Sequence, residues 1–171
     1  MIVGFSTQLN GKPTYFVEKI WKGLLNKHAN LIAYNNFRTE ASINNVIDQW
    51  DYSKTVLPKI HTIRDDINDR WQEDMKIDFF INVRTKNMFR FAPTIPVVST
   101  QEILMTYAFN DLIQISIDDR ELFGYHERLQ FAINDGFDSW EDFFDYFLPK
   151  IKAAPKGVYK PKLIHWTGLK Y

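Results

Sequence analysis

Ile77, Phe79, Ile81 and Val83 stand at every second position. That is the period of a half-buried strand, and it predicts one over 76–84. Ile103, Met105, Tyr107 and Phe109 repeat the period, as do Ile113, Ile115 and Ile117, with Asn110-Asp111 between them. The two runs read as a hairpin. A two-residue loop would pair Phe109 with Leu112 and Tyr107 with Gln114, throwing the apolar sets onto opposite faces. A three-residue loop, Asn110 to Leu112, pairs Phe109 with Ile113 and Tyr107 with Ile115. It keeps one apolar face and is the predicted register. Ile2, Val3 and Phe5 predict a short opening strand. Lys59 to Arg64 reads as a strand by its β-branched content. Phe89 and Phe91 mark a further strand, confined to an edge by Pro93 and Pro96. Lys162 to Trp166 closes the series.

Helical spacing appears at Val17, Ile20, Trp21 and Leu24, with Glu18 and Lys22 four apart on the opposite side. Gly11-Lys12-Pro13 reads as the start of that helix. Tyr125, Leu129, Ala132 and Ile133 mark a second helix, ended by a left-handed cap at Gly136. Asp138 with Glu141 forms a capping box for a third. Its face is Trp140, Phe143, Phe144 and Phe147; Pro149 stops it, and 150–160 is a loop. Asp65 or Asp66 caps a short helix carrying Arg70 and Trp71. Residues 26–57 are polar, Asn-rich and weakly periodic, and read as a long insertion with a short helix near 40–49. The sum is an α+β fold within a single domain, 1–171. The economical architecture is a small mixed or antiparallel β-barrel of five to six strands with about three packed helices.

The chain has 171 residues, and 16% of them are aromatic. So many rings build a core and leave some for a platform under flat ligands. Lys plus Arg total 21 and Asp plus Glu total 21. That balance argues against a general phosphate-binding coat and leaves room for a local basic groove. Residues 118–145 hold nine acids against two arginines, and 150–171 hold six lysines and no acid. Two mutually attractive faces, or a lysine path for an anionic ligand, both follow from this. With no cysteine, disulfides, thiolate nucleophiles and Cys-type metal sites are excluded. His28, His61, His126 and His165 lack ligand spacing, so no metal is expected, and no cofactor-binding motif is present. Asp65, Asp66 and Asp69 read as capping and solvated charge. No signal peptide or membrane-length apolar run is visible, so a cytoplasmic protein is expected.

The chemistry concentrates in residues 58–71, where Lys59, Thr62 and Arg64 stand on or beside a strand. In an apolar cleft a lysine can serve as base, a threonine hydroxyl as nucleophile, and a guanidinium as support for an oxyanion or phosphate. Strict alternation puts Lys59 and Thr62 on opposite faces of a strand. Lys59 is therefore expected on the turn before it, as Pro58 allows.

The order Tyr15-Phe16, then Lys59-x-x-Thr62-x-Arg64-Asp65, then Trp71, resembles the ASCH domains of the PUA-like superfamily. Ala132 to Phe137, Ser139 to Phe143, and Leu163 to Tyr171 are similar to that family's later segments. The resemblance spans nearly the whole chain except about 26–57. It implies a barrel with a cleft between barrel and helices, and RNA, a nucleotide or a modified nucleoside as partner. One branch, the bacterial N4-acetylcytidine amidohydrolases, removes an acyl group from a modified cytidine with a Lys, a Thr and a Glu. Lys59 and Thr62 match the first two. Asp135 stands at or beside the third and is one methylene shorter, a change that reshapes the geometry catalysis needs. The expected site is thus Lys59, Thr62 and Asp135 as catalytic groups, with Arg64, Trp71, Tyr15 and Trp166 on the ligand. Each also has a plainer reading. The tryptophans, Tyr15 and Phe16 would pack the core, His165 would be a structural histidine, Arg64 would pair with its aspartates, and Asp135 would end a helix. The expected function is nucleic-acid or nucleotide binding, alternatively amidohydrolysis, with 26–57 as a possible contact for a protein partner.

Overall fold

A computed structural model of the chain describes residues 1–25, 29–46, 55–108 and 112–171. In chain order the elements are β1 (Ile2–Phe5), β2 (Gln8–Leu9), β3 (Lys12–Pro13), α1 (Phe16–Leu25), α2 (Leu31–Ile43), β4 (His61–Arg64), β5 (Lys76–Ile81), β6 (Phe89–Arg90), β7 (Ile95–Pro96), β8 (Ser99–Ala108), β9 (Leu112–Ile117), β10 (Arg120–Glu121), α3 (Tyr125–Asn134), α4 (Trp140–Ala153), β11 (Val158–Tyr159) and β12 (Lys162–His165). The protein is α+β, with mixed and antiparallel sheets. Among the described residues these sheets do not close into a barrel, because the strands divide into separate sets of four, six and two. No described helix is long and apolar enough to cross a membrane. Residue contacts group the chain into two compact units. The first is Met1–Ile60 with Met75–Pro96, and the second is His61–Asp74 with Val97–Tyr171.

In the first unit β5 is central. β1 pairs with it in parallel, and β6 and β7 pair antiparallel with its two ends. The alternation predicted for this strand holds, with Ile77, Phe79 and Ile81 all buried. Phe5 stacks on Phe79 at 5.8 Å and meets Phe91 edge-on at 5.9 Å. The predicted face of α1 is also buried, at Val17, Ile20, Trp21 and Leu24. Trp21 donates its indole N–H to the Phe91 carbonyl (2.8 Å) and receives Tyr34 edge-on, which seats α2. Two expectations change here. Gly11-Lys12-Pro13 starts no helix; Asn10 (φ 50°) and Gly11 (φ 76°) turn a hairpin between β2 and β3. Asn-Gly is the strongest short hairpin signal, because both residues accept positive φ. The helix expected near 40–49 runs instead over Leu31–Ile43, capped by the Asn30 carboxamide, and 47–54 lie outside the described residues. It buries only Tyr34 and Ala41, so it carries no apolar stripe to read.

The second unit is an antiparallel sheet in the order β10-β9-β8-β12-β4, with β11 also on β8. Helix α4 packs on β8 and β11. The hairpin keeps one apolar face, but in a different register. Tyr107 pairs with Ile113, Met105 with Ile115 and Ile103 with Ile117. Relative to the prediction the slip is two residues, which preserves the face because the side-chain period is two. Phe109 itself lies outside the described residues. No helix forms at Arg70 and Trp71; the Asp66 carboxylate instead accepts both their backbone N–H groups, at 2.9 Å each, and closes a turn.

Helix α3 ends as expected. Gly136 N–H bonds the Ile133 carbonyl and Phe137 N–H the Ala132 carbonyl, with Gly136 at φ 92°. Its buried side is Phe131 and Ala132 rather than Tyr125, which is exposed. The cap of α4 lies one residue later than predicted, on Ser139, whose hydroxyl accepts from Asp142 N–H. Nor does Pro149 stop α4, which continues to Ala153, and residues 155–159 form a 3-10 turn and β11 rather than a loop. A proline inside a helix costs about 3 kcal/mol. Burying Ile151, in line with Phe143 and Phe147, returns roughly 1.5–3 kcal/mol and carries the helix past it.

Gly23 of α1 shows how closely the segment before β4 approaches. A Cβ there would stand 2.8 Å from the Lys59 carbonyl oxygen. Alanine improves helix propensity by about 1 kcal/mol, but overpacking against backbone costs about 1–3 kcal/mol. Gly23→Ala is therefore expected to be destabilising overall, read as a lower urea midpoint with an unchanged slope.

Candidate functional site

The first unit holds a partly open cavity of ≈ 180 Å³ at the head of α1. Ser6, Thr7 and Gln8 reach it from the chain between β1 and β2, Tyr15 to Glu18 from the helix start, and Ile81 and Asn82 from the end of β5. Thr14 fixes the corner. Its hydroxyl donates to the Ser6 carbonyl (2.7 Å) and accepts from Phe16 N–H (3.3 Å), while its own N–H bonds the Thr7 carbonyl. Tyr15 is held at φ 53° and Asn82 at φ 53°. Asparagine tolerates that region, whereas for tyrosine it is strained by about 1–2 kcal/mol. Among the described lining residues Glu18 carries the one charge. The lining thus combines aromatic, amide and hydroxyl residues with the aliphatic Val17, Val46 and Ile81. Behind Phe16 lies Lys59, 2% exposed, its ammonium 5.0 Å from the Phe16 ring centroid and 5.9 Å from that of Phe5. Lys59 precedes β4, as alternation required.

The second unit gathers a different set. The Thr62 hydroxyl accepts from Arg64 Nε at 3.2 Å. Asp135, at the C-cap of α3, accepts from Ile63 N–H at 3.3 Å. Burial lowers the Arg64 pKa, and Asp135, Tyr146 and Asp65 work against that loss. Tyr159 donates its hydroxyl to Asp65 at 2.7 Å, and burial and that bond raise its pKa. Beside this group lie His61 and His165, neither exposed. His61 Nε2 is 2.8 Å from the Tyr171 hydroxyl, and His61 Nδ1 is 3.6 Å from Asp135 Oδ1. Asn134 Nδ2 donates to the same Tyr171 oxygen at 2.7 Å.

Of the residues predicted to form the site, Thr62, Arg64 and Asp135 come together in the second unit, while Lys59 and Tyr15 belong to the first. Trp71 and Trp166 are buried, so they pack rather than offer a face to a ligand. Gln8, Glu18, Asn82, His61, Asn134 and Tyr171 were not singled out by sequence. The Asn10-Gly11 turn was a local signal for Gln8, since it folds that residue back toward the helix start. Three lysines of the lysine-rich stretch have partners outside 118–145. Lys162 pairs with Asp69, with Asp66 (3.8 Å) and with Glu102 (3.5 Å), filling the space among the aspartates considered for a cation. Lys150 and Lys152 lie over the rings of Tyr146 and Tyr107. Among the described residues no group of His, Asp and Glu could hold a metal ion. Compared with known proteins, the chain matches no family model, no curated protein and no solved structure.

Lys162 and Asp66 are buried, with side chains 8% and 1% exposed. Removing one member of a buried pair strands the other, so Lys162→Ala is expected to lose about 3 kcal/mol of stability in urea denaturation. Removing Arg120 from its exposed contact with Glu127 should change stability by less than about 1 kcal/mol.

Proposed function

We propose that the chain is a cytoplasmic nucleotide- or RNA-binding protein of the ASCH/PUA-like kind, and that one base of the ligand enters the cavity of the first unit. The observation that carries this reading is the cavity's lining. Tyr15 and Phe16 supply rings, while Gln8, Asn82 and the nearby hydroxyls supply both donors and acceptors. Flat heterocycles with polar edges need that combination. Size supports the same choice. A volume of ≈ 180 Å³ lies below the roughly 300–1,000 Å³ that encloses a drug-sized ligand. It suits a single ring system, with sugar and phosphate outside. Glu18, the charge among the described lining residues, disfavours a phosphate within.

Titration calorimetry with cytidine, uridine, adenosine, guanosine, their 5′-phosphates and short RNAs tests the reading. Nucleoside and nucleotide are expected to bind with similar affinity and a shallow salt dependence. Tyr15→Gly keeps the positive φ and removes the ring, so it should weaken binding about fivefold to a hundredfold. Absence of binding at millimolar ligand, or a Tyr15→Gly protein that binds normally, would overturn the proposal.

A second reading rests on the Arg64–Thr62 hydrogen bond and on the charge of Asp135 acting on the same guanidinium. A guanidinium against a hydroxyl oxygen favours the alkoxide form. In this reading Thr62 attacks the acyl carbon of an N4-acylated cytidine, and Asp135 accepts its proton. Asp135 hands that proton to the departing amine, Arg64 steadies the oxyanion, and water then hydrolyses the acyl-threonine ester, its proton returning through Asp135 to the Thr62 oxygen. Chromatography of N4-acetylcytidine incubations decides it. The wild-type protein should release cytidine, and Thr62→Ala or Asp135→Asn should reduce release by a hundredfold or more. Equal traces from all three proteins would end the amidohydrolase reading.

A further inference from the structure

His61 of β4, His165 of β12 and Ser99 of β8 stand directly opposite one another on three adjacent strands. Directly opposed residues share a face, so the sheet carries a row of polar groups at the buried end. Neither ring nitrogen of His165 finds a hydrogen-bond partner among the described residues, nor does the Ser99 hydroxyl. Native proteins seldom leave such groups alone. Tyr171 lies over this row, its ring 5.5 Å from that of His61 and 6.0 Å from that of His165.

Two side chains hold the Tyr171 hydroxyl. Gln130 Nε2 donates to Asn134 Oδ1, and the Asn134 amide nitrogen donates to the Tyr171 oxygen. The same oxygen lies 2.8 Å from His61 Nε2. The other ring nitrogen of His61, Nδ1, faces Asp135. Gln101 ties down the backbone on either side of the Tyr171 side chain. Its Oε1 accepts the Tyr171 N–H (3.1 Å), and its Nε2 donates to the Tyr171 carbonyl (3.3 Å) and to Asp118 (2.9 Å).

We propose that residues 167–171 are an acid-released strap, closed over the His61–His165 pair at neutral pH and lifted when the pair takes up a proton. The inference concerns the second unit and is independent of the ligand reading above. Lifting Tyr171 removes the ring that shields both imidazoles. The groups facing His165 are His61 from β4, Asp118, Lys170 and Tyr171; those facing His61 are Asp135 from the end of α3, His165 and Tyr171. Burial, then His61 and Lys170, hold His165 down at about 3 in the closed form, with Asp118 opposing them. In the opened form it returns toward its ordinary 6.5. Between those values the opened form binds the extra proton. The closed form is thus fully favoured above about pH 6.5 and loses ground as pH falls.

For one such imidazole, opening at pH 5 should exceed that at pH 7.5 by about thirtyfold. NMR-detected hydrogen exchange reads this directly, with the Tyr171 amide as reporter of the strap and the amides of 162–165 as reporters of the sheet. Corrected for intrinsic rates, the Tyr171 amide should lose protection about thirtyfold at pH 5 while the sheet amides keep theirs. His165→Phe should abolish most of that pH dependence. Tyr171→Phe keeps the ring and removes the hydroxyl, so it should raise opening at pH 7.5 about fivefold and retain the pH slope. Unchanged protection between the two pH values would overturn the proposal. So would equal loss at Tyr171 and the sheet, which is global unfolding, or an undiminished pH slope in folded His165→Phe. If His165→Phe does not fold, the Tyr171→Phe result and the wild-type contrast still decide.

Discussion

Strand β12 is hydrogen-bonded along both edges, to β4 on one side and β8 on the other. That double ladder is the constraint on which the second unit depends. It brings 61–64 beside 162–165 and 99–102, three segments far apart along the chain. Each paired position then becomes a row across the sheet. One row is Ser99, His165 and His61; another is Glu102, Lys162 and Arg64. Strand β4 is the short edge of that sheet, yet His61, Thr62 and Ile63 are buried. The ladder to β12 satisfies one side of its backbone, and Asp135 accepts the Ile63 N–H.

Matching those side chains is what the surrounding elements do. Asp135 comes from the Schellman turn that Gly136 closes, so a helix end and a strand backbone share one carboxylate. Asp66 combines three tasks, bonding two backbone N–H groups of its turn and facing Lys162. Arg64 is surrounded by acidic and phenolic groups, which keeps a buried guanidinium tolerable. His165 is the exception, since a neutral imidazole is the form that survives there. A buried polar row with two unmatched members, Ser99 and His165, lies in the same place that specifies the sheet's register.

What the sequence revealed follows a physical rule. Elements written by local periodicity were legible: β5 from Ile77, Phe79 and Ile81, α1 from Ile20, Trp21 and Leu24, and the end of α3 from Gly136. Elements whose signal is tertiary were not. Helix α2 buries little and is held by Tyr34 on Trp21, a contact no window of sequence displays. Pro149 lies inside α4 because Ile151 has a core to enter. The hairpin register needed the loop's own geometry, and the face alone could not choose between even slips. Among the candidate residues, Thr62, Arg64 and Asp135 were named from the motif and are near one another. Tyr171 and Asn134 were not found, since a phenol joining a helix end to a strand histidine is a purely spatial relation.

The distribution of cations decides which kind of nucleic-acid recognition the chain could support. Phosphate-led binding needs lysines and arginines free on a surface, and it scales with how many counterions they displace. Here Lys162 is spent on acids, Arg64 lies among aspartates and tyrosines, and Lys150 and Lys152 rest on rings. Lys59 is buried behind Phe16. With equal numbers of acids and bases overall, the chain has no net positive charge to attract a backbone. Recognition that begins at a base, with stacking and edge hydrogen bonds supplying the energy, does not need that field. A cavity walled by Tyr15, Phe16 and two carboxamides is consistent with such a mode, and a charged groove is not what these residues build.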